Sequence, residues 1–236
     1  MKTFMLLLLS VFLSAVTVPT SAIAGPKSVG GEHLPFEAVK MIIEFNSTAQ
    51  DVGVQLFFDA DEAWRNVTVV DPNGQKIFVV NAKGTMRTLG GSELFTESDE
   101  PGLDEVPIQD LFDRFPEGTY TFLGTSVDEE TLVSTAKFTH KIPDGPTITS
   151  PATLDPDDAT IRWNGVVTPA GIQIAGYEVV IEKDDFHVFD VKLPGSARSV
   201  TVPPQFLEHD NEYLFEVLAI EKGGNQTITE SSFETN

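Results

Sequence analysis

Residues 202–233 read VPPQFLEHDNEYLFEVLAIEKGGNQTITESSF, and an earlier stretch, 106–138, reads VPIQDLFDRFPEGTYTFLGTSVDEETLVSTAKF. Both open on Val-Pro and pass into a segment whose apolar side chains fall on every second residue. In the later stretch these are Tyr213, Phe215, Val217 and Ala219; in the earlier one they begin with Tyr120 and Phe122. A period of two places them on one face of a strand. The repeated positions are aromatic and aliphatic, whereas the charged and loop residues between them differ. That is how a duplicated scaffold reads, because a duplicated site would repeat its polar residues.

The same alternation recurs at short intervals, and helical periodicity is scarce. The first half predicts strands at 39–45, 52–58, 67–70 and 76–80, the last two joined by the turn Asp71-Pro72-Asn73-Gly74, then at 119–125 and 132–141. The segment DADEAWRN, with Trp64, reads as a loop. Between 82 and 105 the pattern breaks into Gly90-Gly91, Glu97-Ser98-Asp99-Glu100 and Pro101-Gly102, which predicts a long polar loop over 83–104. Long loops in compact domains are often functional, so Phe95, Glu97 and Asp99 are candidate binding residues. The run HKIPDGP, 140–146, reads as a short stiff linker, since its prolines and glycine interrupt strand pairing. Beyond it, short strands are expected at 147–150, 159–163, 175–182, 186–191, 199–202, 212–220 and 226–233. The expected fold is all-β, two tandem β-sandwiches over 25–142 and 143–236.

The chain opens MKTFMLLLLSVFLSAVTVPTSAIAGP, where Lys2 precedes an apolar run and Ala22 and Ala24 form an A-x-A pair. This is the layout of a cleavable signal peptide over 1–24, which implies export to a periplasm or beyond. No later segment approaches membrane-spanning length. With no cysteine, the sandwiches must hold without disulfides. A formal net charge of −21 makes nucleic acid and anionic membrane poor partners, because phosphate binding needs clustered Lys and Arg.

The second half resembles a fibronectin type III module. The likeness rests on Trp163, on Tyr177 with Val179 and Ile181, on Leu207 placed before Tyr213, and on the Tyr213-x-Phe215-x-Val217-x-Ala219 strand. The resemblance implies a tyrosine corner at Tyr213, in which the phenol bonds backbone at a sandwich edge. The first half is similar but less orthodox, an immunoglobulin-like or fibronectin-type sandwich. Tyr120 and Phe122 repeat the strand, Phe138 stands where Phe233 does, and Leu111 and Phe112 suggest a helical turn before the corner. The two-domain arrangement also looks like a group of exported bacterial proteins with fibronectin type III domains, which implies compartment and fold but no activity.

Motifs for chemistry are sparse. His33, His140, His187 and His209 show no metal-ligand spacing, and Gly-x-Ser-x-Gly and phosphate-loop patterns are absent. The expectation is therefore a non-enzymatic protein without a cofactor. Acidic groups at Asp59, Asp61 and Glu62, at Asp155, Asp157 and Asp158, and at Glu182, Asp184 and Asp185 could take Ca²⁺, although none matches a calcium-loop pattern and solvated charge explains them as well. Asn-x-Ser/Thr sequons begin at Asn46, Asn66 and Asn225. The turn Gly223-Gly224-Asn225 is a second candidate binding loop. The functional expectation is an exported binding or adhesion-type protein for a protein or polysaccharide. The alternatives are a structural or assembly accessory, acting as rigid spacer or chaperone-like partner, and last an enzyme that is carbohydrate-active or Ca²⁺-dependent.

Overall fold

Period-two sequence becomes strand along most of the computed structural model, which describes residues 33–236 apart from 168 and 170. The expected signal peptide lies outside these residues. The first sandwich comprises β1 (Ala38–Asn46), β2 (Asp51–Val70), β3 (Lys76–Asn81), α1 (Met86–Leu89), β4 (Gly91–Glu97), α2 (Ile108–Arg114), β5 (Gly118–Ser126) and β6 (Thr131–Phe138). The second comprises β7 (Thr147–Ile148), β8 (Thr153–Leu154), β9 (Thr160–Asn164), β10 (Ile174–Lys183), β11 (Phe186–Pro194), β12 (Ser199–Thr201), β13 (Glu212–Glu221) and β14 (Gln226–Thr235). Among the described residues no helix is long and apolar enough to cross a membrane.

In the second sandwich the sheet β11-β10-β13-β14, with β8 beside β14, faces the smaller sheet β12-β9-β7. Trp163, Tyr177, Ile181, Phe215 and Phe233 fill the space between them. This is the strand arrangement of an immunoglobulin-like sandwich of the fibronectin type III kind. Leu207 is buried, and Tyr213 Oη accepts a hydrogen bond of 2.7 Å from the Glu208 N–H. In the first sandwich Tyr120 Oη instead donates to the Pro116 carbonyl at 3.0 Å. Both phenols thus satisfy backbone at a corner, in opposite directions.

The segment expected as a loop around Trp64 is strand. β2 runs 20 residues; its first half pairs with β1 and β4 and its second half with β3 and β5. Register shifts between Asp59 and Asn66 mark the change of partners along it, as bulges do. Its charged residues misled because Asp61 and Glu62 are exposed. Trp64 is buried edge-on to Phe58, ring centroids 5.5 Å apart. Gly91 lies against the indole so closely that a Cβ there would come within 2.4 Å of it. The expected loop 83–104 is likewise only partly loop, since α1 and β4 occupy much of it and Phe95 and Glu97 belong to β4.

The two sandwiches share a sheet. β14 would be an open edge of the second sandwich, but it pairs in parallel with β1, placing Glu44 opposite Gln226 and Asn46 opposite Ile228. The result is one 11-stranded sheet crossing both cores, which covers an edge that would otherwise offer unpaired backbone. Asn225 secures the start of this pairing. Its Oδ1 accepts from the Ile43 N–H at 2.9 Å, and its Nδ2 donates to the Thr139 and Lys141 carbonyls at 2.8 and 3.0 Å. Thr227 Oγ1 donates to the Pro143 carbonyl at 2.6 Å, and His140 stacks on Phe112 with centroids 4.0 Å apart. The linker is therefore bonded into the joint at Lys141 and Pro143.

This corrects the sequence reading of Gly223-Gly224-Asn225 as a binding loop. Gly223 is exposed, but Gly224 packs toward Ile42 with φ of 107°, and Asn225 is 2% exposed with its amide fully engaged. The amide bonded to Thr139 and Lys141 is also the one a glycan would need. Asn225→Ala removes one buried and two part-buried hydrogen bonds and strands their backbone partners, at a cost of about 3 kcal/mol. Urea denaturation will show the loss, and limited trypsin digestion will show faster cleavage after Lys141 than in the wild type.

Candidate functional site

On β1 the inward residues Met41 and Ile43 belong to the first core, so Glu44, in opposite phase, points to the other face of the shared sheet. The parallel register sets Gln226 beside it, and Gly53 of β2 lies on its other side. On β2 and β4 the paired residues Gln55 and Glu97 share that face. Gly53 has no side chain, and Glu100 from the following loop occupies the space: a Cβ on Gly53 would come within 2.8 Å of the Glu100 Cγ. Glu44, Glu97 and Glu100 thereby each bring one carboxylate oxygen within 4.8 Å of the others.

Amides orient the group. Gln55 Nε2 donates to Glu97 Oε1 at 3.0 Å, and Gln226 Nε2 donates to Glu44 Oε2. Glu44 is 3% exposed, Glu97 is half-buried, and Glu100 lies at the exposed rim. On β13 of the second sandwich Glu216 also faces away from its own core; it is 4% exposed, and its Oε1 has no hydrogen-bond partner. Glu178 and Glu182 flank it on β10, the former 3.6 Å from Lys192 Nζ and the latter 2.8 Å from His187 Nε2. Val180, Leu218 and Ile228 form a small apolar cluster on the same face.

Removal from water and mutual repulsion both disfavour charge here. Burial, then the Glu97 charge, pushes Glu44 up to about 8 against the pull of the Gln226 hydrogen bond. Loss of water around its carboxyl, with the charges of Glu97, Glu44 and Asp51, pushes Glu100 up to about 8. Glu97 is raised by burial, with Gln55 acting the other way. Burial and then the charges of Glu182, Glu230, Glu178 and Glu100 push Glu216 up to about 8.

The acidic groups singled out in the sequence do not converge. Asp184 and Asp185, with φ of 52° and 66°, are the two central residues of the β10-β11 hairpin turn. Asp155 Oδ1 accepts from the Asp157 N–H in a local turn at 2.9 Å. The charges of Asp61 and then Asp59 raise exposed Glu37. Of the candidate binding residues, Glu97 enters the carboxylate group and Asp99 lines a cleft of about 300 Å³. Val52, Pro101, Val106, Leu111 and Phe115 form the apolar walls of that cleft, with Arg114 as its cationic member. The loop 98–101 thus separates cleft from carboxylates.

A glutamate raised in the folded state binds more protons there than in the unfolded chain. Glu216 therefore costs stability as pH rises from about 4.5 toward 8, with no further loss above that. In chelator-containing buffer the wild type will melt lower at pH 8 than at pH 5. Glu216→Gln will flatten that slope, with a gain at pH 8 of several degrees, at about 2–4 °C per kcal/mol for a chain of this size. Thermal melts across that range provide the measurement.

No family model matches the chain, and no curated protein matches it either. Among solved structures, the Clostridium perfringens spore cortex lytic enzyme SleM is similar at 15% identity over 39% of this chain, with a TM-score of 0.31; the chain spans 28% of that enzyme's length. A myokine structure is 23% identical over 39% of this chain and 97% of its own, with a TM-score of 0.32. The FN1–FN3 domains of chicken CNTN1 are 11% identical over 86% of this chain and 68% of theirs, with a TM-score of 0.36. The fold itself is read from strand order and register.

Proposed function

We infer that the chain is an exported, non-enzymatic binding or adhesion-type protein. The observation that carries this reading is the cleft between the loop 98–101 and α2. It is concave, mostly apolar and has a few polar groups, as ligand sites usually are. Export is supported by the Lys2 and apolar-run layout of 1–24. A non-catalytic role is supported by the sequence, which carries no Gly-x-Ser-x-Gly or phosphate-loop pattern and no metal-ligand spacing of histidines. A protein or polysaccharide segment with an apolar projection would suit the cleft.

One observation favours a second reading. The continuous sheet through β1 and β14 and the bonded linker give the pair the stiffness of a spacer or assembly accessory. The two readings part on the cleft. Val106→Trp fills it from a half-buried position and leaves the core unaltered. Immobilised wild-type chain, exposed to the native envelope fraction, will retain a partner that Val106→Trp loses at least tenfold, with circular dichroism and melting unchanged. Equal retention by both forms sinks the cleft reading, and no retained partner for either supports the spacer.

A further inference from the structure

On the reading of the cleft between the loop 98–101 and α2 as a ligand site, on which this inference rests, we propose that its occupant is the C-terminal residue of a polypeptide partner. The α-carboxylate meets Arg114, the last N–H of the partner meets Asp99, and an apolar side chain lies against Val52, Val106, Leu111 and Phe115. The cleft holds about 300 Å³, the small end of the range of about 300–1,000 Å³ for ligand pockets. One residue with its side chain fills such a space. A single residue that offers a carboxylate as well as an apolar side chain is the last of its chain, since an internal Asp or Glu uses its side chain for the charge.

Both walls are set before a partner arrives. The loop wall is tied to β2: the Ser98 N–H donates to the Val54 carbonyl at 2.9 Å, the Val54 N–H donates to Ser98 Oγ at 2.9 Å, and the Leu103 N–H donates to the Gln50 carbonyl at 2.8 Å. On the helix wall Leu111 is buried in the first core, and His140 Nε2 donates to the Phe115 carbonyl at 2.7 Å. A site already in its bound shape loses little on ordering.

The charged residues of the cleft are left open by the rest of the chain. Arg114 stands in the last turn of α2 and is exposed. It belongs to none of the ion pairs of the described residues, which are Arg65–Glu129, Lys183–Glu208, His187–Glu182 and Lys192–Glu178. Asp110, one turn back on the helix, is thus not paired with it, and Asp113 accepts from Gln109 Nε2 at 2.8 Å. The planar fork of Arg114 is free to take a carboxylate bidentately. Asp99, on the loop wall, lines the same cleft without pairing to it. A carboxylate accepts hydrogen bonds, so Asp99 selects a ligand that carries an N–H next to its own carboxylate. The last residue of a peptide has that order of groups, and capture of a chain terminus is a recurrent mode of recognition.

Fluorescence anisotropy of labelled hexapeptides Ser-Gly-Ser-Gly-Ser-X, with X as Leu, Val or Phe, titrated with the full chain tests this. At least one of these peptides with a free C-terminal carboxylate will bind saturably, and its C-terminal amide will bind at least tenfold more weakly, as the loss of a charge-assisted hydrogen bond requires. The same peptide ending in Ser will also bind at least tenfold more weakly. Arg114→Gln will bind the carboxylate and amide forms alike, with circular dichroism unchanged, and Arg114→Lys will keep part of the preference, as a point charge does. Equal binding of the two forms by the wild type overturns the proposal, as does a carboxylate preference retained in Arg114→Gln. No saturation by any of the three up to about 1 mM, the weak end of the affinity scale, also overturns it. An envelope partner that Val106→Trp loses and Arg114→Gln keeps leaves the cleft a ligand site and rules out the terminus, so the two failures are distinguishable.

Discussion

The parallel pairing of β1 with β14 is the constraint on which the rest depends. Three residues of each strand are in register, a short contact for two sandwiches, so side chains complete it. Asn225 supplies an acceptor to β1 and donors to the linker from a single amide. Without that register Gln226 would not reach Glu44, and the shared face would be two separate sheet surfaces. The carboxylates Glu44, Glu97 and Glu100 all belong to the first sandwich, and the joint adds Gln226 to them.

Much of the fold was legible because the strands of the second sandwich alternate cleanly and are punctuated by turn residues. The misreadings have physical causes. Around Trp64 the pairing of the strand shifts register, and its exposed Asp61 and Glu62 read as loop. β4 pairs on one side only, with β2, and its outward Ser92 and Glu93 dilute the apolar signal that would have marked it. Of the site, Glu97 stood out, but for its place in a supposed loop. Glu44 and Gln226, 182 residues apart, carry no local mark at all. Edge-to-edge pairing between domains leaves no trace in periodicity, because an edge strand has the same pattern paired or free.

The acidic runs at 155–158 and 184–185 proved to be turns, whereas Asp59, Asp61 and Glu62 lie on β2. Neighbouring carboxylates can spread into water, and Asp in particular serves hairpin and Asx turns through backbone hydrogen bonds. Carboxylates that cannot spread are those set side by side by strand pairing, which holds Cβ atoms about 5 Å apart whatever their charge. Tertiary register brings Glu44 to the Glu97–Glu100 run, two strands away from it in the sheet.

The direction of the shared strands also has a mechanical meaning. Because β1 and β14 run parallel, the start of β1 and the end of β14 lie at opposite ends of their pairing. Tension applied between the two ends of the described chain reaches the joint along the strands. Its hydrogen bonds, and those of Asn225 and Ser47 at either end, are loaded together in shear and cannot be peeled one at a time. A protein tethered at one end and holding a partner at the other would carry that load through these bonds at once.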